Sequence, residues 1–202
     1  MFENIIKNVH NRHPLIHCIT NYVSINDCAN IVLACGGAPI MAEDINEVSQ
    51  ITSICQGLDI NIGMLNDNKL SSMLKAGATA NELGIPVILD PVGAGSSDYR
   101  IKAVQNLMSN VQFGVIRGNV SEIKAIAAKQ GIHNIAAGVY ETMQKNKSAM
   151  GVEAGIADKI TDDNIKEMAD FINKLSQKTG AVIAVTGGID ICLLYTSDAA
   201  DE

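Results

Sequence analysis

The feature that most constrains this chain is an alternation of short apolar runs with segments of helical period, sustained from near the N-terminus to residue 185. Leu15 to Ile19 precedes a helical pattern over Ile25 to Cys35, and Leu58 to Ile62 precedes one over Asn68 to Leu83. Val87 to Leu89 is followed by a helix around Tyr99 to Ser109, and Val111 to Ile116 by a helix from Asn119 to about Ala128. Strand, helix and strand in this order predict an α/β fold: a mostly parallel sheet with helices on both faces. The rhythm falters over 130–160, which carries four glycines. That stretch is expected to be a long connection with a short helix at Val139 to Gln144. Regularity resumes with Thr161-Asp162-Asp163 as a helix start and the periodic residues Ile165, Met168, Ala169, Ile172 and Leu175. Gly180 ends that helix, and Ala181 to Val185 reads as a buried strand.

A chain of 202 residues that is 47% hydrophobic can bury about 70% of its unfolded surface in one domain. We therefore expect a single domain over 1–192. The formal net charge of −7, without any Lys/Arg-rich run, excludes a basic surface for nucleic acid or anionic membrane. A small-molecule partner is expected instead. The longest apolar window, Ile31 to Ala42, is broken by Gly36, Gly37 and Pro39 and falls short of the roughly 18 residues of a membrane span. Met1-Phe2-Glu3-Asn4 lacks the basic start of a secretory signal, so a cytoplasmic protein is expected. Cys18, Cys28, Cys35, Cys55 and Cys192 are scattered without a Cys-x-x-Cys spacing and read as reduced core thiols. His10, His13, His17 and His133 show no zinc-site spacing.

Four predicted strands end in polar or glycine-bearing sequences: Asn61-Ile62-Gly63, Asp90-Pro91-Val92-Gly93, Arg117-Gly118-Asn119 and Thr186-Gly187-Gly188. In a parallel sheet such ends share one edge, where open α/β folds bind ligands. Any one of them is an ordinary tight turn; together they offer a carboxylate, a guanidinium and a hydroxyl, the chemistry of a phosphate site. Arg117 can pair bidentately with phosphate oxygens, or it can form a surface ion pair. Asn119-Val-Ser-Glu122 fits a capping box, in which Glu122 bonds back to the cap. Glu122 could also join Asp90 in holding Mg²⁺, which takes one or two carboxylates beside waters and substrate phosphates. No Gly-x-x-x-x-Gly-Lys-[Ser/Thr] and no Gly-x-Gly-x-x-Gly is present, so a nucleotide would need a different glycine-bearing scaffold.

Pro14 to Asn30, Gly37-Ala-Pro-Ile-Met-Ala42, Asn61-Ile-Gly63, Asp90-Pro-Val-Gly-Ala-Gly95 and Val115-Ile-Arg-Gly-Asn-Val-Ser-Glu122 together resemble the signatures of hydroxyethylthiazole kinases, in order along the chain. The resemblance implies a ribokinase-like sheet, incomplete at the C-terminus. It also implies ATP- and Mg²⁺-dependent phosphorylation of 4-methyl-5-(2-hydroxyethyl)thiazole in thiamin salvage, by a homotrimer. Asn21, Met41 and Gly63 match the thiazole contacts of the family. Arg117, Asn119 and Thr186 match its ATP contacts, while Asp90 and Glu122 match its metal and phosphate surroundings. Read alone, Met41 is core filler and Asn21 a cap or turn residue.

The family's sequences continue through a Gly-Thr-Gly-Cys or Gly-Ala-Gly-Cys segment that supplies an anion hole and the cysteine of the site. This chain shows no such segment, and Cys192, on a predicted strand without flanking glycines, does not replace it; no catalytic residue is assigned. Residues 193–202 depart from the preceding pattern and are expected to be a non-native tail on a chain of little activity. A related kinase of hydroxymethylpyrimidine type and a catalytically dead ligand-binding protein are the alternative readings.

Overall fold

The computed structural model describes residues 2–132 and 160–194. The expected helix at Val139 to Gln144 and residues 195–202 of the expected tail 193–202 lie outside them, while Leu193 is paired with Ile183 in the last strand. The described residues fall into two compact units, one within Met1–Asp90 and Leu107–Gln112, the other within Pro91–Asn106 and Phe113–Glu202.

The first unit contains α1 (Phe2–Arg12), β1 (Leu15–Ile19), α2 (Ile25–Ala34), β2 (Ala38–Ile40), α3 (Val48–Ile54), β3 (Gly57–Asn61), α4 (Asp67–Glu82) and β4 (Val87–Asp90). Its strands are all parallel, in the order β2-β1-β3-β4. The pairing Ile19↔Ile60 and the pairing Asn61↔Asp90 bring the strand C-termini level. Ile19, Leu58, Ile60, Ile62, Met73 and Leu89 are fully buried, each contributing about 1.5–3 kcal/mol of apolar transfer. The helix α4 starts at Asn66, whose side chain accepts the Lys69 N–H, and ends where Gly84 turns with φ +67°.

The second unit contains β5 (Val115–Asn119), α6 (Val120–Lys129), α7 (Ile165–Thr179), β6 (Val182–Thr186) and β7 (Ile191–Leu193). The strands β5 and β6 are parallel, with Asn119 opposite Thr186; β7 adds antiparallel to β6. Ile123, Ile126, Ile172, Leu175 and Ile183 form its core. The helix α5 (Asp98–Asn110) contributes residues to both groupings.

The four strands flagged for their polar ends stop at Asn61, Asp90, Asn119 and Thr186. The mostly parallel α/β class is observed. Three details differ from expectation. The strand expected at Val111 to Ile116 lies at Val115–Asn119, because Val111 is apolar for another reason: it is the residue on which Gly77 of α4 packs. The helix expected to start at Thr161-Asp162-Asp163 starts at Ile165, since Asn164 Oδ1 accepts the Thr161 N–H and holds that stretch as a turn. Finally, only Cys18 and Cys55 are core thiols; Cys28 is half-buried, and Cys35 and Cys192 are exposed, at a helix end and on an edge strand. The elements α1, β2 and α3 are not predicted by the alternation of apolar runs and helical segments.

Candidate functional site

In the first unit the strand ends carry a chain of amide contacts. Ser24 N–H and Ser24 Oγ–H donate to Asn21 Oδ1 at 3.0 and 3.1 Å, so Asn21 leads into α2 as a turn. Asn21 Nδ2 then donates to Asn61 Oδ1 at 3.2 Å, which also accepts the Gly63 N–H at 2.8 Å. Asn61 Nδ2 in turn donates to Asp90 Oδ2 at 3.0 Å. Because a planar amide has one acceptor end and one donor end, Asn61 fixes Asn21, Gly63 and the Asp90 carboxylate together. Gly63 is needed for its lack of a side chain: a Cβ there would lie 2.9 Å from both Asn21 Nδ2 and Asn61 Oδ1. The sequence marks Asn61 only as part of a strand end; the signal for its role is its register opposite Asp90.

Met41 follows β2 and is half-buried, not core. Two buried polar side chains fasten the residues that follow it. His17 Nε2 bonds the Ala42 carbonyl at 2.8 Å and Nδ1 bonds Thr52 Oγ1 at 2.8 Å, so the ring carries its proton on Nε2 and accepts from the threonine. Burial pushes the His17 pKa below its ordinary value, against the opposing pull of the Ala42 carbonyl and the Glu47 charge. One residue further along, Lys69 Nζ pairs with Glu43 Oε2 at 2.8 Å. Burial raises the Glu43 pKa, but hydrogen bonds from Lys69 and Tyr22 outweigh it and hold the carboxyl below the usual range. A cavity of about 570 Å³, lined by Glu43, Asn66, Lys69 and Ser72 among others, lies beside this pair.

In the second unit Glu122 is the central group. Its Oε1 accepts the Gly93 N–H at 2.8 Å and its Oε2 accepts the Asn119 N–H at 2.8 Å, while Asn119 Oδ1 accepts the Glu122 N–H at 2.9 Å. The capping box read from Asn119-Val-Ser-Glu122 is therefore present. It has an addition no local motif announces: the same carboxylate, 7% exposed, holds the glycine bend at Gly93. That residue has φ +66°, a conformation glycine adopts without a Cβ penalty. Arg117 is exposed on β5. Thr186 is half-buried and its Oγ–H donates to the Gly118 carbonyl at 3.4 Å.

The structure thus brings Asn21, Gly63 and Asp90 together in one unit, and Asn119, Glu122 and Thr186 with the Gly93 bend in the other. Met41 joins the first group through its fastened neighbours, without a direct contact of its own among those bonds. Among the described residues no cluster of three or more His, Cys, Asp or Glu side chains could hold a metal by itself, and no helix is long and apolar enough to cross a membrane.

A family model described as the hydroxyethylthiazole kinase family matches residues 6–162. A hydroxyethylthiazole kinase of Clostridium acetobutylicum is 53% identical over 191 residues, covering 95% of this chain and 64% of the relative. One from Desulfovibrio desulfuricans is 45% identical, covering 95% and 61%. Among solved structures, the hydroxyethylthiazole kinase protein of Pyrococcus horikoshii OT3 superposes with a TM-score of 0.75 at 30% identity, covering 94% of this chain and 61% of that one. The chain therefore spans about three-fifths of the length of these three relatives. On these similarities, which run through both groups of strand-end residues, this chain belongs to the hydroxyethylthiazole kinase family.

Proposed function

We propose that this chain carries the ligand-holding residues of an ATP-dependent kinase that phosphorylates the hydroxyl of 4-methyl-5-(2-hydroxyethyl)thiazole in thiamin salvage. The observation that carries the reading is Glu122, whose one carboxylate secures both the Gly93 bend and the Asn119 helix start. By taking those two N–H groups, Glu122 fixes the glycine bend and the helix start that frame the residues assigned to the phosphate side. Arg117, Asn119 and Thr186 then hold the nucleotide, Arg117 through its bidentate donors. Asn21, Met41 and Gly63 position the thiazole.

Asp90, in the first unit, and Glu122, in the second, are each kept as a carboxylate that would serve Mg²⁺, as the family resemblance implies. Both are hard oxygen donors of the kind that ion accepts beside waters and phosphates, and Asp90 is half-buried at a strand end with Asn61 orienting its Oδ2. Each Glu122 oxygen already accepts one N–H and retains a second lone-pair site, so the capping and metal roles coexist. When bound, the ion supplies neutralisation of phosphate charge. The residues of the chain bind, orient and exclude.

We also place this chain in a cytoplasmic homotrimer. The helix α2 supports the trimer: Ile25–Ala34 is rich in apolar residues and yet has none buried, with Ile31 61% and Leu33 56% exposed. Such a face calls for a partner surface. We assign this chain binding of both ligands.

The test is calorimetric titration of the thiazole alcohol and of ATP with Mg²⁺, combined with an assay for ADP. Binding of both ligands is expected. Tighter binding of hydroxymethylpyrimidine than of the thiazole alcohol would transfer the chain to the other vitamin-precursor kinases. No binding of either alcohol would overturn the reading.

A further inference from the structure

Lys69 is a buried charge that the proposed function leaves unused. It sits in the first turn of α4, its backbone N–H held by the Asn66 cap at 2.9 Å, and its side chain is 3% exposed. Its ammonium donates to the Thr20 carbonyl at 2.5 Å, pairs with Glu43 Oε2 at 2.8 Å and lies 4.5 Å from the centre of the Tyr22 ring. The Tyr22 hydroxyl donates in turn to Glu43 Oε1. Thr20 and Tyr22 flank Asn21, and Glu43 lies two residues beyond Met41. One ammonium therefore ties together the two segments that carry the thiazole contacts, which are twenty residues apart in sequence.

A lysine placed only for solubility would keep its ammonium in water. Here the ammonium is withdrawn from water, and three different groups compensate it, all within three residues of Asn21 or Met41. Burial of a charge is costly unless it is paired and hydrogen-bonded, so the geometry at both segments is set by where that ammonium must sit. We propose that Lys69, with Glu43 and Tyr22, is a positioning strut that fixes the spacing of the Asn21 and Met41 segments, and so the shape of the alcohol-binding pocket. This rests on the thiazole-site reading for what the pocket holds, though not for the strut itself.

The test uses the 202-residue chain with Lys69→Met and Lys69→Arg, and reads two quantities. Amide hydrogen exchange should rise together over 20–24 and 41–44 in Lys69→Met and return toward wild type in Lys69→Arg, while 115–122 stays unchanged. Calorimetry should show the thiazole alcohol bound at least about tenfold more weakly by Lys69→Met, as expected when positioning is lost, with ATP binding unaltered. Where Lys69→Met fails to fold, Glu43→Gln removes the charge from the more exposed end and should loosen the same two segments. Unchanged exchange at both segments in either folded variant would overturn the strut, as would a loss spread evenly over both units. Coupled loosening in a chain whose wild type binds no thiazole alcohol would support the strut and refute the thiazole reading.

Discussion

The two units hold their polar groups by different means. In the first, the groups around Asn21 and Met41 are fastened by side chains far away in sequence: His17 to Ala42, Lys69 to Thr20 and Glu43, Asn61 to Asn21 and Asp90. In the second, a capping box within one helical turn fastens Asn119, with distant bonds from its carboxylate to Gly93 and from Thr186 to Gly118 added to it. Long-range polar ties depend on the whole unit being folded, whereas a capping box forms with its helix. A binding end of the first kind should fail as a unit when one tie is cut; one of the second kind should fail locally.

Glu122→Ala is expected to have the largest effect. It leaves the Gly93 and Asn119 N–H groups without their buried acceptor, at a cost of about 3 kcal/mol. The urea midpoint should fall accordingly with the slope unchanged. Exchange should rise around 93 and 117–122 with the first unit still protected. Equal loosening in both units would erase the contrast.

A smaller loss is expected in the first unit from Gly77→Ala. The new Cβ would lie 2.5 Å from Val111 Cγ2, and overpacking of about 1–3 kcal/mol is partly offset by the roughly 1 kcal/mol gain in helix propensity. Val111→Ala in the same chain should recover most of the net loss, and a double-mutant cycle measures that coupling. Additive effects would mean that the contact is not what sets the cost.

The smallest effect is a pH dependence confined to the first unit. The folded His17 pKa is lowered, so as pH falls the unfolded ring protonates first. The stability contribution is complete above the ordinary value near 6.5 and is lost as pH falls from there through the folded value. His17→Gln should flatten the stability profile below neutrality. A wild-type profile that rises on acidification would contradict the assigned neutral ring.

The contrast also explains what the sequence makes legible. The Asn119–Glu122 box and the Gly180 helix end, which has φ +69°, are local motifs and could be read directly. So could the strand ends at Asn61, Asp90 and Thr186, because apolar runs stop abruptly there. Lys69 and His17 gave no signal: a lysine in the first turn of a helix and a histidine in a strand are ordinary until the fold brings Glu43 and Ala42 to them. Met41 and Asn21 stood out only through family resemblance. The short strand β2 (Ala38–Ile40) is hidden by Pro39 and the two glycines before it, and α1 is almost entirely exposed, stabilised locally by pairs such as Glu3 with Lys7.

The most direct measurement of the proposed division of labour is calorimetric titration of the thiazole alcohol and of ATP with Mg²⁺ into wild-type, Asn21→Ala and Arg117→Ala chains. The expected result is thiazole binding lost in Asn21→Ala and kept in Arg117→Ala, with the reverse pattern for ATP. Absence of either ligand from the wild type, or both ligands weakened equally by each substitution, would contradict it.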